Sequence, residues 1–289
     1  MAAKWQGQSR GTLSGYKIFI FFIEYVGLSG TYFLLFWVAL YFMFFAGKAR
    51  DEIFRFYNNR LGYNKLKSLL LTYKNFFVLG QTIIDKVAIF SGTKIEFSYL
   101  FEGENHLREI IAGGKGGIII SAHVGNFEMA GHFLKRLNAK INLVTTNSEH
   151  SKIKDYLDSI MTNQSNNFIF VAEDMSHIFA IRNALVNNEI ICLTGDRFLD
   201  KSKAIPTMFF GETAYVPAGP FHLATRFKIP YSFVFVMKEG NRNYHFYATP
   251  GKINIGTLED MAGEFSKELE KVVRKYPEQW FNYFDFWAE

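Results

Sequence analysis

The chain has 289 residues, of which 49% are apolar and 18% aromatic. This length allows one large domain or one domain with an appendage, and the composition is sufficient for a hydrophobic core. The formal net charge of +5 favours an anionic partner, such as a membrane surface, a phosphorylated lipid, an acidic carrier protein or nucleic acid. Cys192 is the only cysteine, which excludes an internal disulfide and a thiolate metal cluster.

The clearest feature of the first 50 residues is a run without charged side chains, Tyr25–Gly47. As one α-helix it would be about 34 Å long, enough to cross a hydrocarbon core of about 30 Å. Basic residues flank the run on both sides, which leaves its orientation open. Monotopic insertion fits as well as a true span, and a buried core helix is a third interpretation. We therefore predict a membrane-anchoring segment over residues 1–50 and a separate domain over residues 51–289.

The rest of the chain predicts an α/β domain. Residues 51–91 carry apolar side chains at helical spacing, with basic residues that face either anionic headgroups or solvent. After Gly114, short apolar runs alternate with amphipathic stretches. The predicted strands are Gly117–Ala122, Ile141–Thr145, Phe168–Val171, Ile190–Thr194, Pro230–Met237 and Tyr244–Ala248. The predicted helices among them are Phe127–Leu137, Lys152–Met161 and Met175–Leu185. This alternation favours a largely parallel sheet flanked by helices.

The last predicted helix has clear ends. Thr257 and Asp260 have the spacing of a capping box at its start, and Pro277 ends it. An aromatic tail from Trp280 to Trp287 follows, and it packs either on the sheet or against a membrane.

One polar cluster follows the first predicted strand of the α/β domain, in the order His123-Val124-Gly125-Asn126-Phe127-Glu128. His123 is expected at the carboxyl end of a parallel strand, where ligands bind in open α/β sheets. Across a strand–turn–helix corner, Glu128 can bind one ring nitrogen of His123 and leave the other as a general base. Backbone N–H groups near Gly125 and Asn126 are candidate oxyanion donors.

A second cluster, Gly195-Asp196-Arg197, follows the strand Ile190–Thr194. Arg197 could hold a phosphate or carboxylate, and Asp196 could position Arg197 or an acceptor. A plain turn with a surface ion pair is the structural alternative. Together the clusters suit attack of a hydroxyl group on a thioester, with His123 taking the proton and no covalent enzyme intermediate.

Other classes fit the residues less well. A hydrolase would need a nucleophile, and no Gly-x-Ser-x-Gly elbow surrounds Ser121. No His-Glu-x-x-His pattern or cysteine pair supports a metal site, and no cofactor is expected. The basic residues are dispersed and match no nucleic-acid-binding module. A non-enzymatic adaptor that binds membrane lipid explains the charge and the N-terminus, but not two polar clusters at strand ends.

At these residues the sequence resembles the bacterial lipid A late acyltransferases, within the lysophospholipid acyltransferase superfamily. The family signature is a His and an acidic residue separated by four residues, here His123 and Glu128. Further matching motifs follow in the same order: Gly195-Asp196-Arg197, Phe209-Phe210-Gly211, Pro217 to Gly219 and Pro277-Glu278-Gln279-Trp280-Phe281.

The resemblance implies an enzyme of the inner (cytoplasmic) membrane whose active site faces the cytoplasm. It implies an acyl donor that is acyl carrier protein or acyl-coenzyme A, a lipid acceptor, catalytic roles for His123 and Glu128, and an acceptor-binding role for Asp196 and Arg197. The tail departs from the family pattern, because residues 283–286 are Tyr-Phe-Asp-Phe where basic residues are usual. The acceptor therefore stays open among a lipid A precursor, another glycolipid, an aminolipid and a pigment-like alcohol.

Overall fold

A computed structural model of the chain describes residues 13–91, 93–129, 134–145, 167–172, 174–198 and 201–287. The described residues form two compact units. The first contains the N-terminal helices together with residues 276–285, and the second contains the sheet. Helical residues on both sides of residue 50 pack together in the first unit. The functional division at residue 50 stays a prediction.

The first unit is helical. Its elements are α1 (Leu13–Tyr25), α2 (Gly27–Phe45), α3 (Gly47–Arg55), a π-helical turn (Phe56–Arg60) and α4 (Lys65–Phe90). Among the described residues, α2 is the helix that is long and apolar enough to cross a membrane by length and composition. The uncharged run Tyr25–Gly47 is not one helix: α1 ends at Tyr25, Gly27 at the start of α2 has a positive φ of 82°, and α2 ends at Phe45. The predicted helical stretch 51–91 is also interrupted, at 61–64, where Asn64 caps α4 by accepting from the N–H of Lys67.

The first unit is held together by α4, which packs against α2 and against residues 277–285 of the tail. Gly80 makes the helix contact possible, because a Cβ there would lie 2.3 Å from Leu35 Cδ1. Asn75 Nδ2 donates to the backbone oxygens of Glu278 and Trp280, at 3.0 and 2.9 Å. This part of the aromatic tail therefore packs on a helix.

The second unit is an α/β fold, which confirms the predicted class. Its helices are α5 (Glu104–Ala112), α6 (Ser176–Val186), α7 (Ala218–Phe227) and α8 (Leu258–Lys275). Its strands are β1 (Ser98–Glu102), β2 (Gly117–Ser121), β3 (Ile141–Thr145), β4 (Asn167–Phe170), β5 (Ile190–Thr194), β6 (Ala204–Phe209), β7 (Glu212–Pro217), β8 (Tyr231–Lys238) and β9 (Asn243–Ala248). The main sheet has seven strands in the order β1-β9-β8-β2-β5-β3-β4, and β6 and β7 form a separate antiparallel pair.

The centre of this sheet is parallel and buried. Strand β2 pairs in parallel with β5 and β8, and β3 pairs in parallel with β5 and β4. Helices cover both faces: a Cβ on Gly117 would lie 2.4 Å from Ile110 of α5, whereas Phe265 of α8 contacts the rings of Phe221 and Phe233. The carboxyl ends of β2, β3, β4 and β5 therefore meet at one edge of the sheet.

Each predicted strand is present with ends within one residue of the prediction, and the capping box is confirmed by mutual hydrogen bonds between Thr257 and Asp260. The prediction of an α-helix over Phe127–Leu137 is wrong for the described residues of this range. They form two short 3₁₀ turns, Phe127–Met129 and Leu134–Leu137. The predicted helix Lys152–Met161 lies outside the described residues. Strands β1, β6 and β7 were not predicted.

Candidate active site

The turn after β2 is fixed by contacts with β8. Gly125 has a φ of +59°, and a Cβ there would lie 2.0 Å from the carbonyl oxygen of Val236, so the position requires glycine. The N–H of Asn126 donates to the same oxygen at 2.7 Å. The Asn126 side chain donates to Tyr244 Oη at 3.3 Å and to Met129 Sδ at 2.6 Å. These bonds hold His123 in a rigid loop at the carboxyl edge of the sheet.

Asp196 reaches the same place from the neighbouring strand. Strands β2 and β5 pair in register, with Ser121 opposite Thr194, and the N–H of Gly195 donates to Ser121 O at 2.8 Å. Gly195 allows this close packing, because a Cβ would lie 2.8 Å from Ile120 Cγ2. Continuing this register places Asp196 beside His123, because each lies two residues beyond the end of its strand.

The two residues form a doubly bonded pair. Asp196 Oδ1 lies 2.9 Å from His123 Nδ1, and Asp196 Oδ2 accepts from the main-chain N–H of His123 at 2.9 Å. Asp196 is 2% exposed, whereas the His123 side chain is 22% exposed. Burial alone would raise the pKa of Asp196, but the His123 ring, both hydrogen bonds and nearby Arg197 outweigh burial and lower the pKa of this carboxyl.

This arrangement determines which ring nitrogen of His123 can act as a base. An ionised carboxylate only accepts hydrogen bonds, so Nδ1 must carry a proton and donate it to Asp196. In the neutral ring, Nε2 is then the unprotonated nitrogen. The imidazole ring of His123 contacts the ring of Phe127 edge to face, with 5.0 Å between the two centroids. His123 thus presents an oriented general base on a partly exposed ring.

The structure changes the roles expected for the other predicted residues. The sequence assigned the His123 ring to Glu128, whose backbone lies in a 3₁₀ turn and whose side chain is outside the described part of the structure. The partner that the structure shows on Nδ1 is Asp196, which the sequence had linked to Arg197 or to an acceptor. The N–H of Asn126 is bonded to Val236 O, which removes it as an oxyanion donor in this conformation.

Substrate contacts of Gly125, Asn126, Asp196 and Arg197 stay predictions. Asp196 as the partner of His123 was missed, although the sequence carried a signal for it. Both residues follow the ends of predicted parallel strands, and strands that pair side by side bring such residues together.

The competing chemistries find no support in the described part of the chain. Ser121 Oγ is buried and makes no hydrogen bond, so it forms no nucleophile–base pair with His123. Burial raises the pKa of the Cys192 thiol to about 12, which makes it a poor nucleophile. Within the described ranges, no three His, Cys, Asp or Glu side chains come together in a way that could hold a metal ion.

Comparison with known proteins identifies the family of the chain. Phosphatidylinositol mannoside acyltransferases from two strains of Mycobacterium tuberculosis are each 27% identical to the chain over 126 residues, which is 42% of this chain. The aligned part spans 39% of the length of these curated relatives. The sequence model of bacterial lipid A biosynthesis acyltransferases matches residues 70–287, which include both polar clusters and the C-terminal tail. The chain therefore belongs to the bacterial lipid A biosynthesis acyltransferase family.

Proposed function

We propose that this protein is an O-acyltransferase that moves a fatty acyl chain from an acyl thioester to a hydroxyl group of a lipid acceptor. The observation that carries the proposal is the contact of buried Asp196 with Nδ1 of His123, because it fixes the neutral tautomer in which Nε2 is the basic nitrogen, at the carboxyl end of the parallel strands. The family match supports transfer of an acyl group in lipid synthesis.

The proposed reaction begins when Nε2 of His123 takes the proton of the acceptor hydroxyl. The acceptor oxygen attacks the thioester carbonyl carbon, and a C–O bond forms. The tetrahedral intermediate then collapses with cleavage of the C–S bond, and the leaving thiolate takes the proton back from Nε2. The Asp196 carboxylate stabilises the imidazolium that exists between these steps.

Glu128 keeps its proposed catalytic role, because it holds the acidic position of the family signature. Its place one 3₁₀ turn beyond the His123 loop suits a second carboxylate near the ring or the acceptor. Arg197, directly after Asp196, is proposed to bind a phosphate or another anionic group of a substrate. Gly125 and Asn126 are proposed to contact the substrate from the turn after β2.

The donor is proposed to be acyl carrier protein or acyl-coenzyme A, and the acceptor a lipid A precursor, another glycolipid or an aminolipid. The similarity to phosphatidylinositol mannoside acyltransferases supports a mannoside-bearing phospholipid as one acceptor to be tested. We place the protein at the inner (cytoplasmic) membrane with the active site facing the cytoplasm. The apolar helix α2 supports membrane association.

The first test is comparative lipid mass spectrometry on cells that produce the protein or its His123→Ala variant. Acyl transfer predicts loss of one lipid class and gain of a species that is lighter by one acyl chain. The matched control is His222→Ala, which removes an exposed histidine on α7 and should leave the lipids unchanged. An unchanged lipid profile at normal levels of the His123→Ala protein would contradict the proposal and favour a non-enzymatic lipid-binding adaptor.

A further inference from the structure

The first half of α4 has its polar and apolar faces reversed relative to a helix in water. Ser68, Thr72 and Asn75 are fully buried, whereas three leucines are exposed, Leu66, Leu69 and Leu70, at 68%, 47% and 61%. The buried polar groups are satisfied: Thr72 Oγ1 donates to Ser68 O at 2.8 Å, and Asn75 binds the tail. A helix that buries its polar side and exposes leucines is suited to an apolar surrounding on its outer face.

Helix α2 continues this apolar surface. Its buried residues Leu28, Leu35 and Ala39 share one side, while the exposed residues lie on the opposite side at helical spacing: Phe33, Trp37, Tyr41 and Phe44. The surfaces of the two helices meet where the rings of Phe36 and Tyr73 make an edge contact at 5.7 Å. Tyr73 is one helical turn beyond Leu69 and Leu70, so the exposed side chains form one continuous apolar face. We call it the α2–α4 face.

The composition around the α2–α4 face suits a lipid surface with anionic headgroups. Trp and Tyr are enriched where hydrocarbon meets headgroups, and the face contains Trp37 and Tyr41. Exposed lysines lie near both helices: Lys48 in the first turn of α3, and Lys65 and Lys67 at the start of α4. These ammonium groups complement lipid phosphates.

The contacts behind this face fix how α2 can enter a membrane. Tyr32 hydrogen-bonds Asp85, Leu35 lies beside Gly80, and Ala39 packs with Phe76, so α2 and α4 run antiparallel. Phe76 stacks on Tyr283 of the non-helical tail, at 5.5 Å between ring centroids. Ala39 lies only about 4.5 Å from the midpoint of α2 along its axis. The irregular tail is therefore level with the middle of α2.

A transmembrane α2 would place this tail in the hydrocarbon core. Irregular backbone is tolerated at that depth only where protein covers it, and Tyr283, Phe284 and Asp285 of the tail are only half-buried. The ion pair between Lys74 and Glu278, at 2.8 Å, would lie at the same depth, and the Lys74 side chain is 55% exposed. With α2 parallel to the membrane plane, the tail and this ion pair lie on the water side and the α2–α4 face lies in lipid.

We propose that the protein is monotopic, with α2 and the first half of α4 lying in the plane of one leaflet and their shared apolar face in contact with acyl chains. This inference does not depend on the acyl-transfer proposal. It selects in-plane insertion over a transmembrane α2 and names Leu66, Leu69, Leu70, Trp37 and Phe44 as lipid contacts.

Fluorescence of Trp37 tests the depth of α2. The full-length protein is bound to vesicles of phosphatidylcholine and phosphatidylglycerol that contain lipids brominated either near the headgroup or near the chain end. Subtracting the signal of the Trp37→Phe variant isolates Trp37 from the other tryptophans. In-plane insertion predicts stronger quenching by the shallow label. Stronger quenching by the deep label would overturn the proposal in favour of a span, and no quenching by either label would overturn the lipid contact itself.

Cysteine labelling tests the same proposal in cells. Ser29→Cys and Lys48→Cys place thiols at the two ends of α2, at exposed positions. Native Cys192 is buried with a raised pKa and serves as an unreactive background. A maleimide that does not cross membranes should label both variants from the same side, judged by intact against permeabilised cells. Labelling of the two positions from opposite sides would refute in-plane insertion, whatever the result for acyl transfer.

Discussion

Asp196→Asn tests whether this carboxylate sets the proton position on His123. In the native site, two carboxylate oxygens accept from two donors of His123, the main-chain N–H and Nδ1–H, each at 2.9 Å. Asparagine has nearly the same shape but only one acceptor oxygen. If that oxygen keeps the main-chain N–H, the amide NH₂ faces Nδ1 and turns it into an acceptor. The ring proton then moves to Nε2, and the base is lost.

The expected loss follows from the role of the base. General-base catalysis contributes about 10²–10⁴-fold to a rate, so Asp196→Asn should lower kcat by about that factor. This corresponds to about 3–5 kcal/mol in the activation barrier. The change should also lower the free energy of unfolding by about 1–3 kcal/mol, because a buried hydrogen bond is replaced by a poorer contact. The protein should still fold.

The assay is acyl transfer from an acyl thioester to a membrane lipid extract, with thermal unfolding measured in parallel. Asp51→Asn is the matched control, because it changes an exposed aspartate whose pairing with Arg50 lies at the surface. If Asp196→Asn retained near-native kcat while His123→Ala lost activity, Asp196 would not set the tautomer. Glu128→Gln would then be the variant expected to lose activity.

Three further outcomes are expected. Gly125→Ala should destabilise the protein by about 2–4 kcal/mol in urea unfolding, because its Cβ would meet the carbonyl of Val236 in a left-handed conformation; near-native stability would contradict the rigid turn. Thr257→Ala should lower the free energy of unfolding by about 1 kcal/mol in the same assay, because it removes the hydroxyl that accepts from the Asp260 N–H at the start of α8. Complete loss of folding would be inconsistent with a local helix cap. The folded-state pKa of Asp196 is lowered, so its carboxylate stabilises the native protein above its unfolded pKa and this contribution is lost as pH falls through the folded value. The stability gap between wild type and Asp196→Asn should therefore shrink as pH falls below about 4, as measured by unfolding across pH; a gap that keeps growing below that pH would refute this sign.

The strands of the second unit were predictable because each is a short apolar run bounded by turn residues. Gly117–Ser121 and Ile190–Thr194 are buried nearly throughout, which is the pattern of central parallel strands. The hairpin formed by β6 and β7 was missed because Pro206 and Pro217 interrupt its pattern, and an edge hairpin tolerates prolines that a central strand does not. Strand β1 alternates between exposed and half-buried residues and lies at the sheet edge, so its apolar signal is weak.

The N-terminal region shows a different limit of sequence patterns. The uncharged run Tyr25–Gly47 indicated length and apolarity, both of which α2 has. It did not indicate the break at Gly27, since a positive φ depends on the fold and not on hydropathy. Nor could it indicate which side of α2 is covered. That information depends on Gly80 and Asn75 of α4, whose contacts with α2 and with the tail join distant parts of the chain.

The candidate site shows why residues can be predicted more readily than their partners. Strand ends placed His123 and Asp196 at one edge of the sheet, because parallel strands share the direction of their carboxyl ends. The choice between Asp196 and Glu128 as the partner of Nδ1 depends on strand order and register. Ser121 lies opposite Thr194, and the glycine at 195 brings β5 close enough for the next carboxylate to reach both the ring and the backbone of His123. A one-residue shift in that pairing would turn Asp196 to the other face of the sheet and remove the oriented base, so the proposed chemistry depends on register as much as on residue type.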